Sequence, residues 1–154
     1  MEVTVLIVSD DPAVRHLLRA TIGQLADKVV LLEAEDATSA LRLIAGRSVD
    51  LAIVDLFQTD YSGVELSRQI QTGAARAPVP VILLTEGEEP STAMLRSAGI
   101  AAALPKPFSP RQLLEIVQRL RPGRSDGGPE PSVPASPARY SPGRLSALAG
   151  RLMS

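Results

Sequence analysis

The chain has 154 residues, of which 45% are hydrophobic, and a formal net charge of −1, values that suit one globular domain with an appendage. The small net charge gives no argument for direct binding to nucleic acid, and the absence of cysteine excludes disulfides and thiolate metal sites. No apolar run approaches the roughly 18–20 residues that span a bilayer, and no signal peptide is evident, so we expect a cytoplasmic protein with no membrane partner.

Short aliphatic runs alternate with segments of helical periodicity over the first 120 residues. The runs are nearly continuous, which is typical of strands buried on both faces of a parallel sheet. They cover residues 3–8, 28–33, 50–54, 79–84 and 100–104. The alternation of five strands with five helices predicts an α/β fold, a doubly wound five-stranded parallel sheet with helices on both faces.

Five helical segments follow these runs, each with a recognisable start. The starts are Pro12, Asp36 as an N-cap, Gly63, Pro90 and Ser109-Pro110. The apolar spacing in the first and fourth segments places Leu17 and Met94 among the side chains that face the sheet. His16 is the only histidine, and we interpret it as a surface or helix-packing residue rather than a phosphoryl carrier.

Polar residues follow the strands at their carboxyl ends, where ligands bind in doubly wound sheets. They are Asp10, Asp11, Asp55, Thr85 and Lys106. Adjacent carboxylates repel each other, so their presence at a strand end favours a hard cation such as Mg²⁺, which takes oxygen ligands. An acid at a helix N-terminus can instead stabilise the helix dipole. A third carboxylate on another strand favours the cation site over this alternative.

These residues also carry a family resemblance. A strand that ends in Asp10-Asp11, followed by Asp55-Leu56, Gly63, Thr85 and Lys106-Pro107-Phe108, is similar to the receiver domain of two-component response regulators. The resemblance implies a flavodoxin-like receiver fold. It covers about residues 1–120, and we place the end of this domain at residue 121.

The resemblance implies a role for each site residue. Asp55 accepts a phosphoryl group from a histidine kinase or phosphotransfer protein, and Thr85 and Lys106 contact the phosphoryl oxygens. The implied ligands of Mg²⁺ are Asp10, Asp11, Asp55 and the backbone carbonyl of Phe57. Such a domain is a phosphorelay signalling switch rather than an enzyme, so we expect a downstream output protein as a partner and leave a homodimer open.

The chain departs from the family pattern in four places. They are Phe57, Gln58-Thr59, Glu86 and Ala103. Glu86 adds an anion beside Thr85, and Ala103 stands where an aromatic switch residue is common. A pseudo-receiver, an interaction module that phosphorylation does not control, is therefore an alternative. A nucleotide-binding protein of the same fold is disfavoured, because a phosphate-binding turn needs Gly and exposed amides rather than two carboxylates.

The composition changes after Arg121. Residues 122–143 are rich in Pro and Gly and predict a flexible linker, whereas residues 144–154 predict one short helix or a disordered tail. Residues 140–148 resemble the opening of a LuxR-type helix-turn-helix domain, so a truncated transcription regulator is a further alternative. We expect no direct nucleic-acid contact from this chain, because no recognition helix follows that segment.

Overall fold

The computed structural model of the chain describes residues 2–25, 28–55, 57–58, 61–76, 78–86 and 90–120. At residues 57–58 and 61–62 the description covers the backbone alone. The predicted linker at 122–143 and the predicted helix or tail at 144–154 lie outside the described residues. The domain boundary at residue 121 therefore stays a prediction.

Five parallel strands form one sheet in the order β2-β1-β3-β6-β7. They are β1 (Glu2–Ser9), β2 (Lys28–Ala34), β3 (Leu51–Asp55), β6 (Val81–Thr85) and β7 (Ile100–Pro105). Both β3 and β6 are buried along their whole length, which explains their continuous apolar runs. The strand order reverses at β1, so a crevice for ligands is expected between the carboxyl ends of β1 and β3. The predicted doubly wound sheet is confirmed.

Helices cover both faces of this sheet. They are α1 (Pro12–Ile22), α2 (Ala37–Ile44), α3 (Gly63–Gly73), α4 (Thr92–Ser97) and α5 (Pro110–Leu120). Leu18 of α1 and Val117 of α5 share one buried cluster with β1 and β3, whereas Ile44 of α2, Ile70 of α3 and Leu95 of α4 belong to the cluster on the opposite face. Among the described helices, none combines the length and apolar character needed to cross a membrane.

The fourth helix starts later than its sequence predicts. Its N-cap is Ser91, whose hydroxyl accepts a hydrogen bond from the backbone N–H of Met94 at 3.2 Å, so α4 begins at Thr92 rather than at Pro90. A serine hydroxyl at this position satisfies a free N–H of the first turn, which explains the later start. The inward position predicted for Met94 is wrong, because its side chain is 45% exposed and Leu95 fills the buried position.

The buried face of α1 is also narrower than its apolar spacing predicts. Leu18, Thr21 and Ile22 are buried, whereas Leu17 is 36% exposed. Successive helical residues are separated by about 100° around the axis, so a stripe centred on Leu18 and Ile22 turns Leu17 towards solvent. The inward prediction for Leu17 is therefore wrong. His16, predicted as a surface or helix-packing residue, has an exposed side chain.

Two very short strands follow β3 and were not predicted. They are β4 (Phe57–Gln58) and β5 (Tyr61–Ser62), which pair antiparallel and lead directly into α3. A strand of two residues carries no periodic pattern, so its sequence gives no signal. Phe57 lies two residues beyond Asp55, the last residue of β3.

Candidate functional site

The parallel register brings polar residues from different strands to one edge of the sheet. Ser9, the last residue of β1, lies opposite Asp55, the last residue of β3. Thr85, the last residue of β6, lies opposite Pro105 of β7. The backbone N–H of Lys106 donates to the carbonyl of Thr85 at 2.8 Å, which continues the pairing past the end of β7. Four strand ends thus contribute to one region.

The carboxylate of Asp55 is the centre of this region. Its side chain is only 2% exposed, and each of its oxygens has a polar neighbour. Oδ1 lies 2.8 Å from the ammonium of Lys106, and Oδ2 accepts a hydrogen bond of 2.8 Å from the hydroxyl of Ser9. Within the described residues Oδ1 receives no donor at a favourable hydrogen-bond angle, so the contact with Lys106 is best described as an ion pair.

Lys106 is held between two carboxylates. Besides Asp55, its ammonium lies 3.3 Å from Oε2 of Glu86, whose side chain is 59% exposed. Burial by itself lowers the pKa of Lys106, but the short contact with Asp55 and its negative charge, helped by Glu86, outweigh this and raise the pKa above its usual range. Lys106 is therefore a permanent cation near neutral pH, beside a buried carboxylate.

The hydroxyl of Thr85 is buried and accepts or donates no hydrogen bond within the described part of the chain. Its side chain is 2% exposed, and Oγ1 has no partner among the residues that the structure describes. Buried polar atoms are rarely left unsatisfied, because each costs about 1–3 kcal/mol. This orphaned hydroxyl and the buried carboxylate of Asp55 at neighbouring strand ends indicate a place for a polar ligand.

Asp10 and Asp11, the predicted acidic pair, have different surroundings. Asp11 is the N-cap of α1, and its Oδ1 accepts a hydrogen bond of 2.9 Å from the N–H of Ala13. Asp10 is exposed and lies between this cap and the end of β1. In the described ranges no three His, Cys, Asp or Glu side chains gather into a group that could hold a metal ion. The roles of Asp10, Asp11 and the Phe57 carbonyl as metal ligands stay predictions.

Sequence reasoning overlooked Ser9. Its hydroxyl is fully buried, donates to Asp55, and accepts the backbone N–H of Asp11 at 3.1 Å. Its backbone carbonyl accepts a hydrogen bond of 2.7 Å from the guanidinium of Arg15. Its place in the sequence could have identified Ser9 as a site residue, because Ser9 ends β1 just as Asp55 ends β3.

The sequence of this chain is similar to those of known proteins. The sequence profile of the response regulator receiver domain matches residues 5–118. The phosphate regulon transcriptional regulatory protein PhoB of Pseudomonas aeruginosa is 31% identical over 80% of this chain and 55% of its own length. The response regulator MprA of Mycobacterium sp. is 34% identical over 84% of this chain and 56% of its own length. The chain therefore spans about half the length of these two relatives.

A solved structure gives the same result. The CheY-like response regulator receiver domain protein from Methanospirillum hungatei JF-1 superposes with a TM-score of 0.65 and 27% sequence identity, covering 77% of this chain and 92% of that protein. The profile match extends over most of the sheet and the helices that surround it, from β1 to α5. From sequence and fold together, this chain belongs to the family of response regulator receiver domains of two-component systems.

Proposed function

We propose that this chain is the phosphoacceptor domain of a two-component phosphorelay, and that Asp55 accepts the phosphoryl group. The observation that carries the proposal is the ion pair between the buried carboxylate of Asp55 and Lys106, with 2.8 Å between Oδ1 and Nζ. The proposed donor is a histidine kinase or a phosphotransfer protein that carries a phosphohistidine. This partner is proposed from the family, and a cytoplasmic location is part of the same proposal.

The proposed reaction needs little covalent assistance from the protein. A carboxylate oxygen of Asp55 attacks phosphorus, the bond between phosphorus and the imidazole nitrogen of the donor breaks, and an acyl phosphate forms. Lys106 supplies positive charge beside the phosphoryl oxygens while phosphorus passes from the imidazole nitrogen of the donor to Asp55. The hydroxyl of Thr85 donates to one of these oxygens, which satisfies a buried group that has no partner among the residues the structure describes. Positioning and charge stabilisation account for most of the catalysis of such transfers.

Mg²⁺ is the cation that we propose for the site. The predicted ligands are Asp10, Asp11, Asp55 and the backbone carbonyl of Phe57. Mg²⁺ usually binds through one or two carboxylates and keeps several waters, so the lack of three clustered carboxylates among the described residues is still compatible with it. When bound, the ion supplies charge that offsets the repulsion between carboxylates and phosphate.

The proposed output is a change in surface contacts. A phosphoryl group adds negative charge and new hydrogen-bond acceptors at Asp55, and its hydrogen bond with Thr85 favours one of two arrangements of the surrounding surface. The downstream output protein and a homodimer are the proposed recipients of this change. Ala103 is fully buried in β7, so any relay through this position involves a small side chain instead of an aromatic ring.

A pseudo-receiver is the second candidate, and one observation favours it. The carboxylate of Glu86 lies 3.3 Å from Lys106, where it competes with an incoming phosphoryl group for the same cation. In this candidate the domain binds its partner without being phosphorylated. The fold and Asp55 are the same in both candidate functions, so the two are distinguished by whether Asp55 becomes phosphorylated.

Phosphorylation of the whole chain by a small phosphodonor tests the proposal. The protein is incubated with acetyl phosphate and Mg²⁺, and the modified residue is located by mass spectrometry. We expect one phosphoryl group on the peptide that contains Asp55, and none on an Asp55→Asn variant whose circular dichroism spectrum matches that of the wild type. Modification that persists in Asp55→Asn excludes Asp55 as the acceptor, and a complete lack of modification favours the pseudo-receiver.

A further inference from the structure

Ser9 donates a hydrogen bond to the proposed phosphoacceptor from the neighbouring strand. Its hydroxyl lies 2.8 Å from Oδ2 of Asp55, and both side chains are at most 2% exposed. The hydroxyl has a single proton, and its alternative acceptor, the backbone carbonyl of Asp11, lies 3.5 Å away. The shorter contact with a charged oxygen is the stronger of the two, so the proton is donated to Asp55.

The surroundings of Ser9 hold this donor in place. Its hydroxyl accepts the backbone N–H of Asp11 at 3.1 Å, and its backbone carbonyl accepts the guanidinium of Arg15 at 2.7 Å. The terminal torsion of an aspartate side chain is broad unless its neighbours restrain it. Ser9 on one side and Lys106 on the other therefore fix the plane of the Asp55 carboxylate.

The two carboxylate oxygens of Asp55 have chemically different partners. Oδ1 lies 2.8 Å from the ammonium of Lys106, whereas Oδ2 accepts from the neutral hydroxyl of Ser9. In the proposed reaction Lys106 supplies charge beside the phosphoryl oxygens, so the bond to phosphorus forms at Oδ1. Oδ2 then becomes the carbonyl oxygen of the acyl phosphate, and it keeps its hydrogen bond with Ser9.

We propose that Ser9 is a positioning residue that shortens the lifetime of the acyl phosphate on Asp55. In hydrolysis, water attacks phosphorus, the bond between phosphorus and Oδ1 breaks, and its electron pair stays with Asp55 as a carboxylate. Inorganic phosphate keeps the oxygen and the protons of the water molecule. A hydroxyl binds a charged carboxylate more strongly than a neutral carbonyl, so the hydrogen bond from Ser9 strengthens as the phosphoryl group leaves and lowers the barrier. This inference rests on the proposed function of Asp55.

The same hydrogen bond has little influence on how fast the acyl phosphate forms. Phosphoryl transfer passes through a loose transition state, in which the leaving group is largely detached and the nucleophile is barely bonded. As the nucleophile, Asp55 still carries its charge in that state, so its hydrogen bond with Ser9 is nearly unchanged. Loss of the hydroxyl is therefore expected to slow hydrolysis but not labelling, whereas a site that is merely loosened would be labelled more slowly.

Ser9→Ala and Ser67→Ala are a matched pair for the test. Each removes the hydroxyl of a fully buried serine, but Ser67 donates to the backbone carbonyl of Gly63 at 2.7 Å and not to Asp55. The whole chain is labelled with acetyl phosphate at one fixed Mg²⁺ concentration. The phosphodonor is then removed by gel filtration, and mass spectrometry follows the loss of the phosphoryl group.

We expect the half-life of the acyl phosphate to be about three- to tenfold longer in Ser9→Ala, with a labelling rate within about twofold of the wild type. Ser67→Ala should change neither quantity. An unchanged or shorter half-life in a folded Ser9→Ala variant overturns the inference, and so does an equal increase in Ser67→Ala. If Ser9→Ala does not fold, Ser9→Cys decides, because a thiol has a similar shape but is a weak donor and must also lengthen the half-life.

The experiment separates this inference from the proposed function. A wild-type chain that takes no phosphoryl group on Asp55 contradicts both. A wild-type chain that is labelled, with a half-life that does not respond to substitution of Ser9, contradicts the inference alone and leaves Asp55 as the phosphoacceptor.

Discussion

The ammonium of Lys106 lies 2.8 Å from Oδ1 of Asp55, although the two residues belong to strands that are not neighbours in the sheet. Asp55 is the last residue of β3, and Lys106 directly follows β7. β6 separates β3 from β7, so Lys106 extends across the end of β6 to reach the carboxylate. The contact therefore links three strand ends and neutralises a carboxylate that is 2% exposed. Lys106 serves both the stability of the fold and the proposed chemistry.

Replacing Lys106 with methionine is expected to lower both properties. The variant leaves the buried carboxylate without its cation, so we expect unfolding to require about 1–3 kcal/mol less free energy in urea titrations. Labelling of Asp55 by acetyl phosphate should slow by about 10²-fold or more. Lys28→Met is the control, because its pair with Glu2 is exposed and 4.0 Å apart, and it should change stability by less than about 0.5 kcal/mol. Equal effects of the two variants contradict a special role for Lys106.

The raised pKa of Lys106 predicts a loss of stability at high pH. The group binds its proton more tightly in the folded state, so its contribution is fully present below the unfolded pKa of about 10.5. The contribution disappears as the pH rises through the folded pKa, which lies higher. The stability difference between the wild type and Lys106→Met should therefore be constant from about pH 7 to 9 and shrink above about pH 10.5. A difference that grows with pH contradicts this ion pair.

Glu86→Gln is expected to make Asp55 easier to phosphorylate. The substitution removes a competing anion 3.3 Å from Lys106 but keeps the size of the side chain. Because the Glu86 side chain is largely exposed, we expect only about a two- to fivefold increase in the labelling rate. Glu115→Gln, which breaks the exposed pair with Arg111, is the matched control and should leave the rate unchanged. A slower reaction in Glu86→Gln means that Glu86 assists the site.

Two buried threonines allow a test of the orphaned hydroxyl. Thr85→Val removes a hydroxyl without a partner among the described residues, so stability should stay within about 0.5 kcal/mol of the wild type or rise. The labelling rate should fall by about tenfold, because a phosphoryl oxygen loses one donor. Thr21→Val removes a hydroxyl that donates to the carbonyl of Leu17 at 2.8 Å, and it should cost about 0.5–1.5 kcal/mol without slowing labelling. The reverse pattern contradicts the proposed role of Thr85.

Gly99 should tolerate alanine less well than Gly46. Both glycines have positive φ angles, +77° and +71°, so each substitution introduces backbone strain of about 1–2 kcal/mol. A methyl group at Gly99 also collides with the amide of Gln71, which binds both backbone groups of Val79 at 2.8 Å, whereas Gly46 has open space around it. Urea titrations should show an additional loss of about 1 kcal/mol or more for Gly99→Ala. Equal losses exclude the collision as a cause.

The alternation of apolar runs and helical segments determined the fold class, because burial on both faces of a parallel strand requires continuous apolar residues. The positions of Asp55, Thr85 and Lys106 followed from the same pattern, since a residue after an apolar run marks the carboxyl end of a strand. The ends and the buried faces of the helices were predicted less accurately. The inward prediction for Met94 failed because α4 has six residues and a single buried position, which is too short a helix for periodicity to define a face.

Which side chains meet at the site depended on tertiary structure. The order of acids along the chain suggests Asp10-Asp11 as a unit, but the register between β1 and β3 places Ser9 against Asp55. The start of α1 then uses Asp11 as its cap, because the free N–H groups of a helix need acceptors. Likewise, the pairing of β6 with β7 brings Lys106 beside Glu86. The sequence alone identified which residue types end the strands. Which of these side chains contact each other depends on the strand register, and long-range packing sets that register.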